Sequence, residues 1–405
     1  GLHTVSDGYQ VTDNFICGNF TNSSGAALAH FRLSANCLIK SKTVLFNENF
    51  NQGVSVNGGG ILVSGLPAFG CPFGPDGTQD PACLDNPEQS LSPGSGSVEI
   101  SSNLIKGNSS GSGDGAGIRL SRINGQDVRV VTRKGRGIVR INHVIDVVNN
   151  MIVENVAALS GGGISLQDAL GVNIRHNTIA NNDITSTAGG AFAPGLPDVS
   201  MPQPGAGIIS RAHSAGLTQK LGVAAGFSGT KLVANIIWHN RQFYWKSDST
   251  VIPTLSGLCP DINNAAGLTC AGGNAPVYDD LAVGLVPCID CILSGDSDPA
   301  FVSEYVNGSR NTTTLILEGT TSMQAPPAFD EGGNFIRLRY GPLTQTDTDN
   351  PTVLLGDYHI QSGSTAVDAG SDAGITSALI KPLVKSLCTL SAASRAFSPF
   401  LSSLA

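Results

Sequence analysis

A six-residue pattern, N-x-[IV]-x-x-N, recurs along the chain and limits its fold more than any other feature. It reads Asn14-Phe-Ile-Cys-Gly-Asn19, Asn103-Leu-Ile-Lys-Gly-Asn108, Asn150-Met-Ile-Val-Glu-Asn155, Asn177-Thr-Ile-Ala-Asn-Asn182 and Asn235-Ile-Ile-Trp-His-Asn240. Lys42-Thr-Val-Leu-Phe-Asn47 is a degenerate copy. After most copies comes a run of small residues and then an apolar alternation. Examples are Gly58-Gly-Gly-Ile-Leu-Val63, Gly115-Ala-Gly-Ile-Arg-Leu120, Gly161-Gly-Gly-Ile-Ser-Leu166 and Gly205-Ala-Gly-Ile-Ile-Ser210. A further short strand often precedes the Asn motif, as in Val98-Glu-Ile100, Val144-Ile-Asp-Val147 and Val172-Asn-Ile174.

The copies start 28 residues apart from Asn14 to Lys42 and 27 apart from Asn150 to Asn177; longer intervals contain inserts. A unit of this length, with three short strands and no helix, is the signature of a parallel β-solenoid. One coil cannot bury its own apolar face, whereas stacked coils bury a continuous core of Ile, Val and Leu. Asn at a corner tolerates left-handed backbone, and its amide can bond to the Asn one coil away. Composition agrees: 50 Gly and 13% charged residues exclude helical bundles and coiled coils, and 40% hydrophobic content excludes a disordered chain.

These N-x-I-x-x-N and G-G-G-I-x-L repeats resemble those of right-handed parallel β-helix proteins of the secreted and cell-surface type. Gly356-Asp-Tyr-His-Ile-Gln-Ser-Gly-Ser-Thr-Ala-Val-Asp-Ala-Gly370 resembles a segment that closes many bacterial surface β-helices. The likeness covers most of residues 10–260 and about 330–370. The expected fold is therefore all-β, with β-helix coils over 1–260 and inserts at 65–96, 122–141 and 186–204. An irregular continuation with final coils is expected over 261–370, and a C-terminal cap or tail over 371–405. In that tail Leu379, Ile380, Leu383, Val384 and Leu387 fall at helical spacing, broken by Pro382.

Nine Cys point to an oxidising compartment. The expected local pairs are Cys17 with Cys37, Cys71 with Cys83, Cys259 with Cys270, and Cys288 with Cys291. Cys288-Ile-Asp-Cys291 has no helix pattern after it and no second C-x-x-C, so a structural disulfide is expected there, not a redox or zinc site. Sequons at Asn19, Asn22, Asn108, Asn307 and Asn311 are compatible with N-glycosylation. The chain begins at Gly1 without a signal peptide, which reads as a processed or trimmed end.

A net charge of −8 disfavours nucleic acid, which needs clustered Lys and Arg. The basic cluster Arg129, Arg133, Lys134, Arg136 and Arg140 reads as a solvated hairpin, with an anion site as the alternative. No run of 18 apolar residues is present, so no transmembrane segment is expected.

The resemblance specifies fold more than function, because the same coil carries lyases, hydrolases, adhesins and passenger domains. In lyases of this fold a basic residue removes the proton alpha to a uronate carboxylate, while Arg or calcium neutralises the developing charge. The candidates here are Arg175, His176, His239 and Arg241, with Arg211, His213 and Lys220 near an insert. Asp127, Asp146, Glu154, Asp168 and Asp183 lie in neighbouring coils, and no pair is singled out for glycoside hydrolysis. Trp238, Tyr244 and Trp245 with Phe243 form an aromatic cluster that could stack on sugar rings. The His spacing offers no metal motif; no cofactor is implied, and calcium is compatible with Asp- and Asn-rich corners. The expected function is a secreted or cell-surface module for binding, adhesion or extracellular assembly. Its partners would be a polysaccharide, another surface ligand, or identical or other extracellular subunits. The alternative is a carbohydrate-active enzyme, lyase before hydrolase, acting on an acidic polysaccharide.

Overall fold

The computed structural model describes residues 2–4, 8–51, 53–67, 91–133, 136–196, 198–223, 226–248, 255–259, 276–282, 288–304, 314–317 and 356–370. Strands of two to four residues are laid down in a fixed rotation on four parallel sheets. The first sheet holds Leu28–Phe31, Ile61–Ser64, Ile118–Ser121, Ile164–Gln167 and Ile208–Ser210, with Leu2–Thr4 at its edge. The second holds Gln10–Thr12, Cys37–Lys40, Val98–Ser101, Ile145–Val148, Val172–Arg175 and Lys231–Val233. The third runs from Phe15–Cys17 through Thr43–Leu45, Leu104–Lys106, Met151–Val153, Thr178–Ala180 and Ile236–Trp238 to Ile292–Leu293. The fourth is built of two-residue strands: Phe20–Thr21, Glu48–Asn49, Ser109–Ser110, Val156–Ala157, Asp183–Ile184 and Arg241–Gln242. Each pass over the four sheets is one repeat, or coil, with four strands where the sequence pattern suggests three. The fourth strand is too short to show alternation, and its Asn and Ser residues read as turn.

One face of each strand points into a shared core. Ile61, Ile118 and Ile164 of the first sheet, Ile100, Val147 and Ile174 of the second, and Ile105, Ile152 and Ile179 of the third are fully buried in one cluster. The same residue type therefore repeats coil after coil on the same wall. Burying each such side chain contributes about 1.5–3 kcal/mol.

The Asn motif is explained by two buried ladders. The second Asn of each copy forms the longer one. Its Nδ2 donates to the Oδ1 of the next coil's Asn at 2.8–2.9 Å, from Asn19 through Asn47, Asn108, Asn155 and Asn182 to Asn240. The first Asn forms a ladder through Asn103, Asn150, Asn177 and Asn235. The Asn itself is not the left-handed residue, as the sequence suggests. The residue before it is: Ser102, Asn149, His176 and Ala234 on one corner, and Phe46, Gly107, Glu154, Asn181 and His239 on the other, all have positive φ. The left-handed turn aims the following amide inward, where it bonds to both neighbouring coils. Lys42 occupies a ladder position in the degenerate copy. Its main-chain N–H still donates to Asn103 Oδ1 at 2.9 Å, but its amine is buried without a hydrogen-bond partner among the described residues. Burial pushes that amine down to about 8, with Asp13 opposing the shift.

The third residue of each Gly run answers a different demand, close approach. A Cβ on Gly163 would lie 2.6 Å from the Gly207 carbonyl oxygen and 2.8 Å from Ile179 Cγ2. Gly163→Ala should therefore cost about 1–3 kcal/mol, seen as a lower urea midpoint. Gly189→Ala, with nothing within 4 Å of the added Cβ, should stay within about 0.5 kcal/mol. Equal midpoints for the two variants would refute the close-approach account.

The inserts decorate this frame. Arg129–Arg133 and Arg136–Arg140 pair as an antiparallel ribbon, the hairpin expected at 122–141. The 186–204 insert has a short turn at Gly189–Ala191 and bridges from Val199 to Lys246. A further insert after Ser210, unmarked in the sequence pattern, carries the helix Ala215–Leu221. Beyond 260, Ile292–Leu293 extends the third sheet, whereas Val277–Tyr278 ends the fourth by pairing antiparallel. Asp357–Ile360, in the segment that resembles a closing repeat, pairs antiparallel with Phe301–Ser303. Tyr358 and Phe301 pack on Val153, Ala180 and Trp238, so this pair covers the outward face of the third sheet and adds no coil. The 371–405 tail lies outside the described residues.

Cys288 and Cys291 form the expected disulfide, with Cα atoms 5.6 Å apart. Cys259 is disulfide-bonded, its partner lying outside the described residues, as do Cys71, Cys83 and Cys270. The expected Cys17–Cys37 bond is corrected: both are free thiols. Cys37 opens a second-sheet strand and faces the core, while Cys17 closes a third-sheet strand. Burial raises the pKa of both thiols.

Candidate functional site

Outward-facing residues stand in straight rows, because parallel strands in register stack like residues about 4.8 Å apart. On three sheets these rows are largely covered. On the first, Leu62, Arg119, Ser165 and Ile209 are buried. Arg119 donates to Ser165 Oγ and to Gln167 Oε1 and lies 3.5 Å from Asp114, which also pairs with Arg211. On the third, Leu45, Lys106, Val153, Ala180 and Trp238 are buried. Tyr358 Oη donates to Glu154 Oε1 at 2.8 Å there, and burial together with the Glu154 charge holds the phenol well above its ordinary range. On the fourth, Val156, Asp183 and Arg241 are buried.

The second sheet differs. One outward row runs Leu38, Glu99, Asp146, Asn173, Lys231 in direct register. The adjacent row runs Lys40, Ser101, Val148, Arg175, Val233. Ser101, Val148 and Val233 of the adjacent row are buried, whereas Lys231 is exposed and Lys40, Glu99, Asp146, Asn173 and Arg175 are half-buried. Their polar groups are already ordered. Arg175 Nη2 reaches Asp146 Oδ1 at 3.1 Å, and Asn173 Nδ2 donates to the same oxygen at 2.9 Å. Ser101 Oγ donates to Glu99 Oε1 at 2.7 Å. The result is one polar, mixed-charge row along Glu99, Asp146, Asn173 and Lys231, flanked by Lys40 and Arg175, with donors and acceptors at strand spacing. Such a row can hydrogen-bond an extended hydroxyl-bearing chain without first paying to order its side chains.

The other sequence candidates fall elsewhere. Arg175 and Arg241 do not meet: Arg175 is in register with Val148 and Val233 on the second sheet, Arg241 with Asp183 and Tyr278 on the fourth. Arg241 is committed to Asp183 through Nε–Oδ1 at 3.0 Å and Nη2–Oδ2 at 2.6 Å, which removes it as a catalytic candidate. His176 and His239 are left-handed corner residues. His239 is stacked between Trp238 and Tyr278, each ring centroid 4.4 Å away. Trp238 and Tyr244 are buried and offer no face to a sugar; Trp245 is half-buried, its main chain bonded to Ser200 of the 186–204 insert. Asn108 is corrected as a glycan acceptor, because its amide is fully buried in the ladder. Asn19 is half-buried with its amide on Asn47, Asn22 is exposed, and Asn307 and Asn311 lie outside the described residues. Among the described residues no three of His, Cys, Asp and Glu converge as a metal site.

Two residues important to this arrangement carried little sequence signal. Glu99 is the register neighbour of Asp146, yet 47 residues and a hairpin insert separate them. Asp280 ends the long ladder by accepting from Asn240 Nδ2 at 2.8 Å. A carboxylate in an otherwise irregular stretch looks like a turn. No protein-family model matches the chain, and no curated protein or solved structure is detectably similar to it.

Proposed function

We propose that this chain is a right-handed parallel β-helix that acts outside the cell as a binding module, holding an extended polysaccharide along the outward face of its second sheet. One observation carries the reading: the polar row Glu99–Asp146–Asn173–Lys231, flanked by half-buried Lys40 and Arg175, on the outward face of the second sheet. The cyclic order of the sheets supports the β-helix, and parallel crossovers within one sheet are right-handed in nearly all proteins. The Cys288–Cys291 bond and the bonded Cys259 suit an oxidising compartment. Binding is favoured over lyase chemistry because Arg175, the candidate base on this face, is engaged in an ion pair with Asp146 at 3.1 Å.

A glycan array, followed by titration of the full chain with neutral and uronate polymers, tests this. Binding should be weakened about tenfold by Arg175→Gln, which removes a charged donor. Absence of binding to every polymer, or affinity unchanged in both Arg175→Gln and Lys231→Ala, would overturn it.

A second reading rests on Glu99 and Asp146 standing side by side in register. Adjacent strands are about 4.8 Å apart, close to the carboxyl separation of retaining glycoside hydrolases. Release of reducing ends that is abolished in Glu99→Gln would decide for the hydrolase.

A further inference from the structure

The ribbon Arg129–Arg133/Arg136–Arg140 serves neither the core nor the second-sheet face. Residues 129–140 hold five basic residues and no acidic one, in a chain of net charge −8. Arg129 stands directly opposite Arg140, Val130 opposite Val139, and Val131 opposite Ile138. Like charges placed opposite each other destabilise a strand pair, and a two-stranded ribbon is marginal in water on its own. Arg129 and Arg140 are exposed and form no ion pair among the described residues. The apolar side chains are also in water: Val130 is 42%, Val131 36%, Ile138 39% and Val139 47% exposed.

The base of the ribbon, in contrast, is firmly built. Asp127 accepts from Gly125 N, Asn124 Nδ2, Asn142 N and His143 N at 2.8–3.1 Å, tying the roots of both strands together. Val128 is buried with Leu91 and Leu217, and Ile141 packs against them. A rigid mount thus presents an element that is unfavourable in water, with Val131 and Ile138 on the same face as Arg129 and Arg140, and Val130 and Val139 on the opposite face. A soluble polyanion would satisfy the cations and leave Val131 and Ile138 exposed. A surface that is anionic outside and apolar just beneath satisfies both.

We propose that the 129–140 ribbon docks this chain peripherally on anionic lipid bilayers. Arg129 and Arg140 meet the headgroups, while Val131 and Ile138, on the same face of the ribbon, enter the interface. The test is co-sedimentation of the full chain with vesicles of phosphatidylcholine alone or with about 30% phosphatidylglycerol. The chain should partition onto the anionic vesicles and not the neutral ones. Arg129→Gln/Arg140→Gln should weaken partitioning about thirtyfold, at about 1 kcal/mol per cation near the surface. Val131→Ser/Ile138→Ser should weaken it about tenfold through lost apolar burial. All four positions are exposed, and unchanged circular dichroism would show that the variants fold. No partitioning, partitioning unaffected by both variant pairs, or binding to a sulfated soluble polymer without partitioning would each overturn the proposal.

Discussion

Asn155→Ala is expected to lower the stability of the folded chain by about 4–6 kcal/mol, because one amide serves four bonds in a dry site. Asn155 Nδ2 donates to Ile105 O at 3.0 Å and to Asn182 Oδ1 at 2.9 Å. Its Oδ1 accepts from Asn108 Nδ2 and Asn108 N, both at 2.9 Å. Alanine fills none of these roles, and each stranded buried partner costs about 1–3 kcal/mol. Asn19→Ala, at the half-buried end of the same ladder, should cost about 1 kcal/mol. In a stacked repeat the damage is felt mainly by neighbouring coils, so local amide exchange should rise at Asn108 and Asn182 before the whole chain unfolds. Similar urea midpoints for the two variants would mean that the ladder adds no more inside than at its edge.

The Asn repeat was therefore readable in sequence for a physical reason. Every coil meets the same packing problem at the same corner and solves it with the same residue. Ile105, Ile152 and Ile179 repeat on the third-sheet wall for the same reason, and Gly60, Gly117, Gly163 and Gly207 before first-sheet strands because backbone meets backbone there. What failed was whatever depends on which residues an insert brings together. Cys17 and Cys37 are near in sequence, but a corner turns them onto different walls of the coil. Asn108 satisfies a sequon and a ladder with the same amide, and only burial decides between them. Glu99 and Asp146 become neighbours only when the 122–141 insert is looped out. The candidate face was half legible: Asn173 and Arg175 share an evident strand alternation, whereas their partner across the sheet depends on register.

Arg241 shows how a residue can resemble a catalytic group in sequence and be structural in the fold. It follows a repeat Asn, is basic, and lies in the same coil as Trp238 and His239. The fold places it opposite Asp183, and both side chains are nine-tenths or more buried. Its guanidinium carbon also stands 4.8 Å from the centroid of the Phe243 ring. Arg241→Leu would leave the Asp183 carboxylate buried without its bidentate partner, which should cost about 3–5 kcal/mol. A catalytic Arg would instead lower activity at nearly constant stability. The double variant Asp183→Leu/Arg241→Leu separates the pair's net worth from the penalty of stranding one charge. Replacing both charges by apolar side chains should recover most of the loss, to within about 1 kcal/mol of the parent, because the desolvation of both ions is then avoided. Urea midpoints of the two single variants and the double variant provide the comparison. A double variant less stable than either single would mean that the pair contributes far more than its own desolvation cost, and that the fourth sheet depends on it as Asn155 depends on its ladder.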